Sequence, residues 1–182
     1  MPDTRRTLAA LQSLLADNES GAISAQDLRD FLVSATPVHG SLYVSTPVQT
    51  VIANPNEWTK TLGITTTAGL DGFDSPVAGR LRYTGTPDVF VTVVCTLSFT
   101  SVGNNLTLDF RLVKNATTTG ADTVASNIMQ RVGTGADVAS ATLVFSGILS
   151  TNDYIELWVL DEDDDSNMTV ESMNLTATGF LA

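Results

Sequence analysis

The chain has 182 residues and a mass of 19.2 kDa, the size of one ordinary domain with room for a small appendage. Nine Lys and Arg against 20 Asp and Glu give a net charge of −11, which argues against a nucleic-acid partner, because neutralising phosphates takes clustered cations. Cys95 and His39 are the sole residues of their types, so one copy has no intrachain disulfide framework, no Cys-rich zinc site and too little histidine for a multi-His metal centre. No window reaches the roughly 18 apolar residues of a membrane span, and the polar amino terminus with Arg5 and Arg6 lacks the apolar stretch of a signal peptide. The expectation is a soluble acidic protein with no membrane partner, no cofactor and no metal.

Composition divides the chain near Thr36-Pro37. Threonine, which favours strands because its branched Cβ restricts χ1, is spread from Thr36 onward but occurs before that only at Thr4 and Thr7. Residues 1–36 therefore read as a helical segment and 37–182 as a β domain. Leu8, Leu11, Leu14 and Leu15 recur at helical spacing after a possible Thr7 cap. The turn formers Asp17-Asn18-Glu19-Ser20-Gly21 then interrupt the helix. A second helix starts at Ser24, with Asp27 three residues on as a capping-box partner and Ile23 with Leu28 as a hydrophobic staple. Its apolar stripe is Leu28, Phe31 and Leu32, and Pro37 closes it. Gly21, Ile23 and Asp27 also fall in the register of a calcium hand, but Ala16 occupies the first ligand position and Asp27 is short for the bidentate role. Asp27 and Asp30 around Arg29 do not suit a DNA-reading helix. The favoured reading is a structural helical hairpin that docks on a neighbour, joined by residues 35–45 to the β part.

From Ser41 the period is two. Val91, Val93, Cys95, Leu97 and Phe99 point one way and Thr92, Val94, Thr96 and Ser98 the other. Leu106, Leu108, Phe110 and Leu112 repeat the pattern, followed by Leu143 with Phe145, then Ile155, Leu157 and Val159, and last Met168, Val170, Met173 and Leu175. Clusters of Gly, Asn and Asp bound these runs, among them Gly103-Asn104-Asn105, Thr119-Gly120, Gly133-Thr134-Gly135 and Asn152-Asp153. Short strands at this spacing predict an antiparallel sandwich. Cys95, in register with Val93 and Leu97, reads as packing and not as a nucleophile.

Along Tyr154–Leu160 both strand faces carry large side chains, although a strand of a two-layer sandwich should show one wet face. The second face is therefore expected to be covered, by another subunit, by the helical unit or by a long loop such as 114–141. Tyr83, Phe110, Tyr154 and Trp158 are the candidate subunit-interface residues, since Tyr and Trp are favoured anchors. Asp161-Glu162-Asp163-Asp164-Asp165 offers hard oxygens of the kind calcium takes. Consecutive turn residues point apart, however, and a solvated loop is the preferred reading, with Arg80, Arg82, Arg111 and Arg131 as charge partners. Asp71 and Asp74 prompt a comparison with the paired acids of glycoside hydrolases, but in a Gly-rich stretch they read as turn formers. His39 reads as a solvent-facing linker residue.

Two resemblances add to this reading. "LQSLLADNESGAISAQDLRDFLVS", residues 11–34, resembles a segment near the amino termini of tailed-phage virion proteins, where it precedes fibre, spike or decoration modules. "GRLRYTG" (79–85), "VFVTVVCTLSF" (89–99), "LDFRLVKN" (108–115) and "NDYIELWV" (152–159) stand in the order seen in phage modules that resemble the tumour-necrosis-factor-like jelly roll. Ala116 departs from the usual Lys-Asn-Gly turn there. These resemblances imply a mainly β protein, an antiparallel jelly-roll sandwich with a short N-terminal helical hairpin, that assembles as a homotrimer and does no catalysis. They further imply a virion component made in the host cytoplasm: a decoration (cement) protein on the capsid surface bound to the major capsid protein or another virion protein. The alternative is a tail-fibre, baseplate or receptor-binding module recognising a host glycan. Leu8, Leu11, Leu15, Phe31 and Leu32 are the candidate capsid anchors.

Overall fold

The computed structural model describes residues 3–14, 23–117, 124–134 and 137–182. Two helices, α1 (Leu8–Leu14) and α2 (Ala25–Ala35), come first. The short strands that follow are β1 (Val38–Thr46), β2 (Gln49–Thr50), β3 (Thr59–Lys60), β4 (Ile64–Asp71), β5 (Phe73–Asp74) and β6 (Arg80–Tyr83). Then come β7 (Val89–Ser101), β8 (Thr107–Lys114), β9 (Val124–Arg131), β10 (Ala139–Leu149), β11 (Tyr154–Asp161) and β12 (Met168–Leu181). One sheet runs β10-β7-β12-β1-β4 with β2 added on β12; the other runs β5-β6-β11-β8-β9 with β3 added on β11. The chain crosses from one sheet to the other between β7 and β8, back between β9 and β10, and twice more before β12. This is the two-layer jelly roll that the sequence predicts.

The alternation in β7 falls as read: Val91, Val93, Cys95, Leu97 and Phe99 are buried between the sheets and Thr92 and Thr96 face out. Leu108, Phe110 and Leu112 of β8 and Ile155, Leu157 and Val159 of β11 meet them from the other layer. Phe99 and Phe110 join the layers with ring centroids 4.6 Å apart. Burying such a side chain contributes about 2–3 kcal/mol, so the core is made of many such increments. Burial pushes the Cys95 thiol up to about 12, which leaves it protonated and inert. Asn115 itself takes the left-handed position of its turn at φ 54°, so Ala116 needs no glycine-like freedom.

Three segments differ from expectation. Most of the expected connector 35–45 lies in β1 (Val38–Thr46), hydrogen-bonded between β12 and β4. The stretch 114–141 is not one loop, because β9 pairs with β8 within it. Strand β4 escapes the sequence because Ile-Thr-Thr-Thr-Ala-Gly-Leu has no apolar alternation: it is an edge strand whose residues are almost all exposed. The capping box of α2 is formed as read, with the Asp27 N–H donating to Ser24 Oγ (3.1 Å) and the Ser24 N–H to Asp27 Oδ2 (2.9 Å). The Ser24 hydroxyl, donating to Asp27 Oδ2 (2.7 Å), and then the Ser24 N–H hold the Asp27 carboxyl below its ordinary range. Leu15, the turn Asp17–Gly21 and the calcium-hand positions lie outside the described residues, as do Thr119-Gly120 and Gly135.

Candidate functional site

The outward face of the first sheet is the most unusual surface. Across its five strands Asp71 and Glu171 are the only Asp, Glu, Lys or Arg residues, and both lie toward the margins. Registration sorts the remainder into rows. Phe90 on β7 lies opposite Ile148 on β10 and Phe180 on β12, and these three are 53%, 49% and 57% exposed. Val94 lies opposite Val144 and Thr176. Thr96 pairs with Thr142 and Asn174, and Asn174 pairs with Tyr43 of β1. A shallow groove lined by Thr96, Ser98, Thr142, Ser172 and Asn174 crosses the face. In a chain of charge −11, an almost uncharged sheet with exposed Phe, Ile and Val has the composition of an interface core. Sequence reading identified Thr92, Val94, Thr96 and Ser98 on the outward side of β7 but neither Phe90 nor its partners, because cross-strand pairing brings Phe90, Ile148 and Phe180 together from three distant segments.

The outward face of the second sheet is covered, but by this chain itself. Segment 56–61 runs beside β11: the Asn56 N–H donates to Asp161 O (2.8 Å) and the Thr61 N–H to Leu157 O (3.1 Å). Buried Glu156 accepts from Lys60 Nζ (2.6 Å) and Arg80 Nε (2.8 Å), with Trp158 Nε1 donating to its other oxygen at 3.4 Å. Arg80 stacks over Tyr154 (3.7 Å to the ring centroid), and buried Arg111 stacks over Trp58 (3.6 Å). Asn127 Nδ2 donates to Asp109 Oδ2 (3.0 Å), while burial raises the Asp109 carboxyl above its ordinary range. Among the described residues the cover is therefore segment 56–61 with its Trp58, joined at the Tyr154 end by Asn115 and Ala116.

This corrects the interface candidates. Tyr83 and Phe110 are 0% exposed and Trp158 is 6% exposed in a single copy. Tyr83 sits against Phe73, ring centroids 5.5 Å apart, and its hydroxyl donates to Pro87 O (2.6 Å). Phe110 faces Phe99 in the core. Tyr154 is half-buried, with its hydroxyl on Ala116 O (2.8 Å). Their aromatic character marked burial, and packing within one chain supplies it.

The helical unit turns the expected face outward. Buried on α2 are Asp30 and Ser34. The Thr4 N–H donates to Asp30 Oδ1 (2.9 Å), Gln26 Nε2 to the same oxygen (2.8 Å), Arg6 Nε to Asp30 Oδ2 (2.7 Å) and the Arg6 N–H to Ser34 Oγ (2.8 Å). The Thr4 N–H first, then Gln26 and Arg6, lower the Asp30 carboxyl to about 2. Arg5 reaches Asp71 at the end of β4 (2.7 Å). Of the anchor candidates, Leu8, Phe31 and Leu32 are exposed and Leu11 is buried; Leu15 lies outside the described residues. Leu28 joins the exposed set.

The remaining candidates are separated. Asp71 pairs with Arg5, while Asp74 holds Arg82 through two bonds of 2.9 and 2.6 Å, and that guanidinium lowers the Asp74 carboxyl. Each acid of the pair has its own arginine, which is the arrangement of structural ion pairs. Arg80 and Arg82 thus serve Glu156 and Asp74, not the acidic run as the sequence suggested. His39 is exposed on β1. Glu162–Asp165 are exposed, while Asp161 is buried. Burial first, and then the neighbouring Asp164 charge, push the Asp161 carboxyl up, whereas Ser166 holds the Asp164 carboxyl down. The acidic run leads into Met168, paired with Ser101 at the far end of β7, while α2 leads into Val38, paired with Gly179. Acidic turn and helical unit therefore occupy opposite ends of the sandwich.

No protein-family model and no curated protein matches the chain. Solved structures do. A tumour-necrosis-factor protein, Eiger from S. frugiperda, superposes with a TM-score of 0.51 at 11% identity, covering 80% of this chain and 93% of that one. The globular domain of zebrafish complement 1qA gives 0.47 at 13% identity, with 81% and 98% covered. Murine APRIL gives 0.45 at 12%, with 78% and 99% covered. The β domain thus has the tumour-necrosis-factor-like jelly-roll fold.

Proposed function

We propose that the chain is a non-enzymatic structural protein of a tailed-phage virion, a homotrimer that decorates and stabilises the head shell. The observation that carries this reading is the uncharged outward face of β10-β7-β12-β1-β4. Its Phe90–Ile148–Phe180 row is exposed in one copy, and three copies meeting around an axis would remove it from water. Association of like chains there brings no like charges together, apart from Asp71 and Glu171 at the margins. The exposed α2 stripe Leu28, Phe31 and Leu32, together with exposed Leu8 of α1, then serves as the attachment surface. Three such stripes on one trimer bind at high effective concentration although each is small. The acidic turn at the opposite end would face solvent, away from the major capsid protein or other virion partner. The likeness of residues 11–34 to phage attachment segments supports the virion setting, with synthesis in the host cytoplasm.

Light scattering at micromolar concentration is expected to give the mass of three protomers, and the protein to co-sediment with capsids. Deletion of residues 1–35 is expected to leave the β circular dichroism intact and abolish co-sedimentation. A monomer would overturn the assembly, and undiminished co-sedimentation of the truncated chain would overturn the anchor. Failure of the full chain to bind capsids, with binding to host cells instead, would favour the tail-fibre or receptor-binding alternative.

A further inference from the structure

The acidic turn is not simply a solvated loop, because its first carboxylate is inside the protein. Asp161 closes β11 with its side chain 0% exposed. Its Oδ1 accepts the N–H groups of Asp163 (3.0 Å) and Asp164 (3.3 Å), which turns the carboxylate under its own loop. Among the described residues its Oδ2 has no hydrogen-bond partner. Buried polar atoms are rarely left so, because the lost hydration is not replaced. The Asp164 carboxylate lies against that of Asp161, with its Oδ1 held by the Ser166 N–H (2.7 Å). Glu162, Asp163 and Asp165 surround the pair with further negative charge.

We propose that Asp161 Oδ2 and the Asp164 carboxylate bind a divalent cation of the hard, oxygen-preferring class, Ca2+. The donors are all oxygen, which disfavours zinc and copper, and calcium tolerates irregular geometry that magnesium does not. A single proton would relieve the buried oxygen but leave the exposed carboxylates repelling one another, whereas a doubly charged ion acts on both. Among the described residues no three acidic, His or Cys side chains form a ready-made cage. Water therefore completes the coordination, and the affinity falls in the weak range, a Kd of roughly 10⁻⁴–10⁻³ M.

The test uses the full chain, melted in CaCl2 and in EGTA, with calorimetric titration of CaCl2. At about ten times the Kd the expected rise in Tm is roughly 3–6 °C, and Asp161→Asn or Asp164→Asn removes it. Asp165→Asn, outside the pair, retains it. Identical melting in CaCl2 and EGTA with no heat of binding overturns the site. So does an Asp164→Asn variant that responds like the parent, since diffuse surface charge would then be responsible. Asp164 is exposed, so that variant carries the test even where Asp161→Asn does not fold. Light scattering on the same samples reads assembly separately, so the calcium site and the trimer can fail independently.

Discussion

The outward side of β8 and β11 holds Asp109, Arg111, Glu156 and Trp158, all buried, whereas the outward side of β7, β10 and β12 holds Phe90, Val144, Ile148 and Phe180, all about half exposed. The first face is polar and closed by the chain's own segment 56–61. The second is apolar and left open. A buried charge needs partners at fixed distances, and a single chain supplies them to Glu156 through Lys60 and Arg80. An apolar row needs only the exclusion of water, which a second copy can provide without any particular geometry. One sheet is finished within the protomer; on the proposed reading the other is finished by assembly.

Substitutions on the two faces should therefore fail differently. Phe90→Asp is expected to have the largest effect, because it sets a charge in the assembled face of every copy. The measured mass should drop from three protomers to one while the β circular dichroism is kept, and a trimer surviving this change would break the contrast. Glu156→Ala should act on the protomer instead. Removing one partner of a buried ion pair costs about 3 kcal/mol, the low end of the usual range, because Lys60 and Arg80 keep partial contact with water. Urea unfolding measures it, and a loss below about 1 kcal/mol would show that the pair is effectively a surface contact.

The smallest and most local effect concerns the strap of residues 3–6 on α2. Asp30 is lowered when folded, so its contribution is complete above the unfolded value near 3.9 and is lost as pH falls toward about 2. Amide exchange at Thr4 and Arg6 should accelerate through that window. Unchanged exchange would show that the strap is held by other contacts.

The period-two runs of β7, β8 and β11 made the sandwich legible, since alternate burial leaves a direct mark on the order of residues. The large side chains on both sides of Tyr154–Leu160 correctly signalled a covered face. What covers it was not legible, because Lys60 reaches Glu156 of β11 across 96 residues of sequence and Trp58 reaches Arg111 of β8 from an equally separate segment. For the helices the stripe of Leu28, Phe31 and Leu32 was visible, but its orientation was not. Asp30 and Ser34 are buried by N–H groups from Thr4 and Arg6, and hydrophobic pattern carries no record of a polar clamp. The rows on the open sheet have the same origin: Phe90 and Phe180 look like isolated exposed residues until pairing aligns them.

The sealed thiol has a practical side. Because Cys95 is the chain's one cysteine and is shut inside the sandwich, a cysteine introduced on the surface would be the sole accessible attachment point for a dye or spin probe. One position beside the acidic turn and another on α2 would let spectroscopy report which end of the molecule meets its surroundings first.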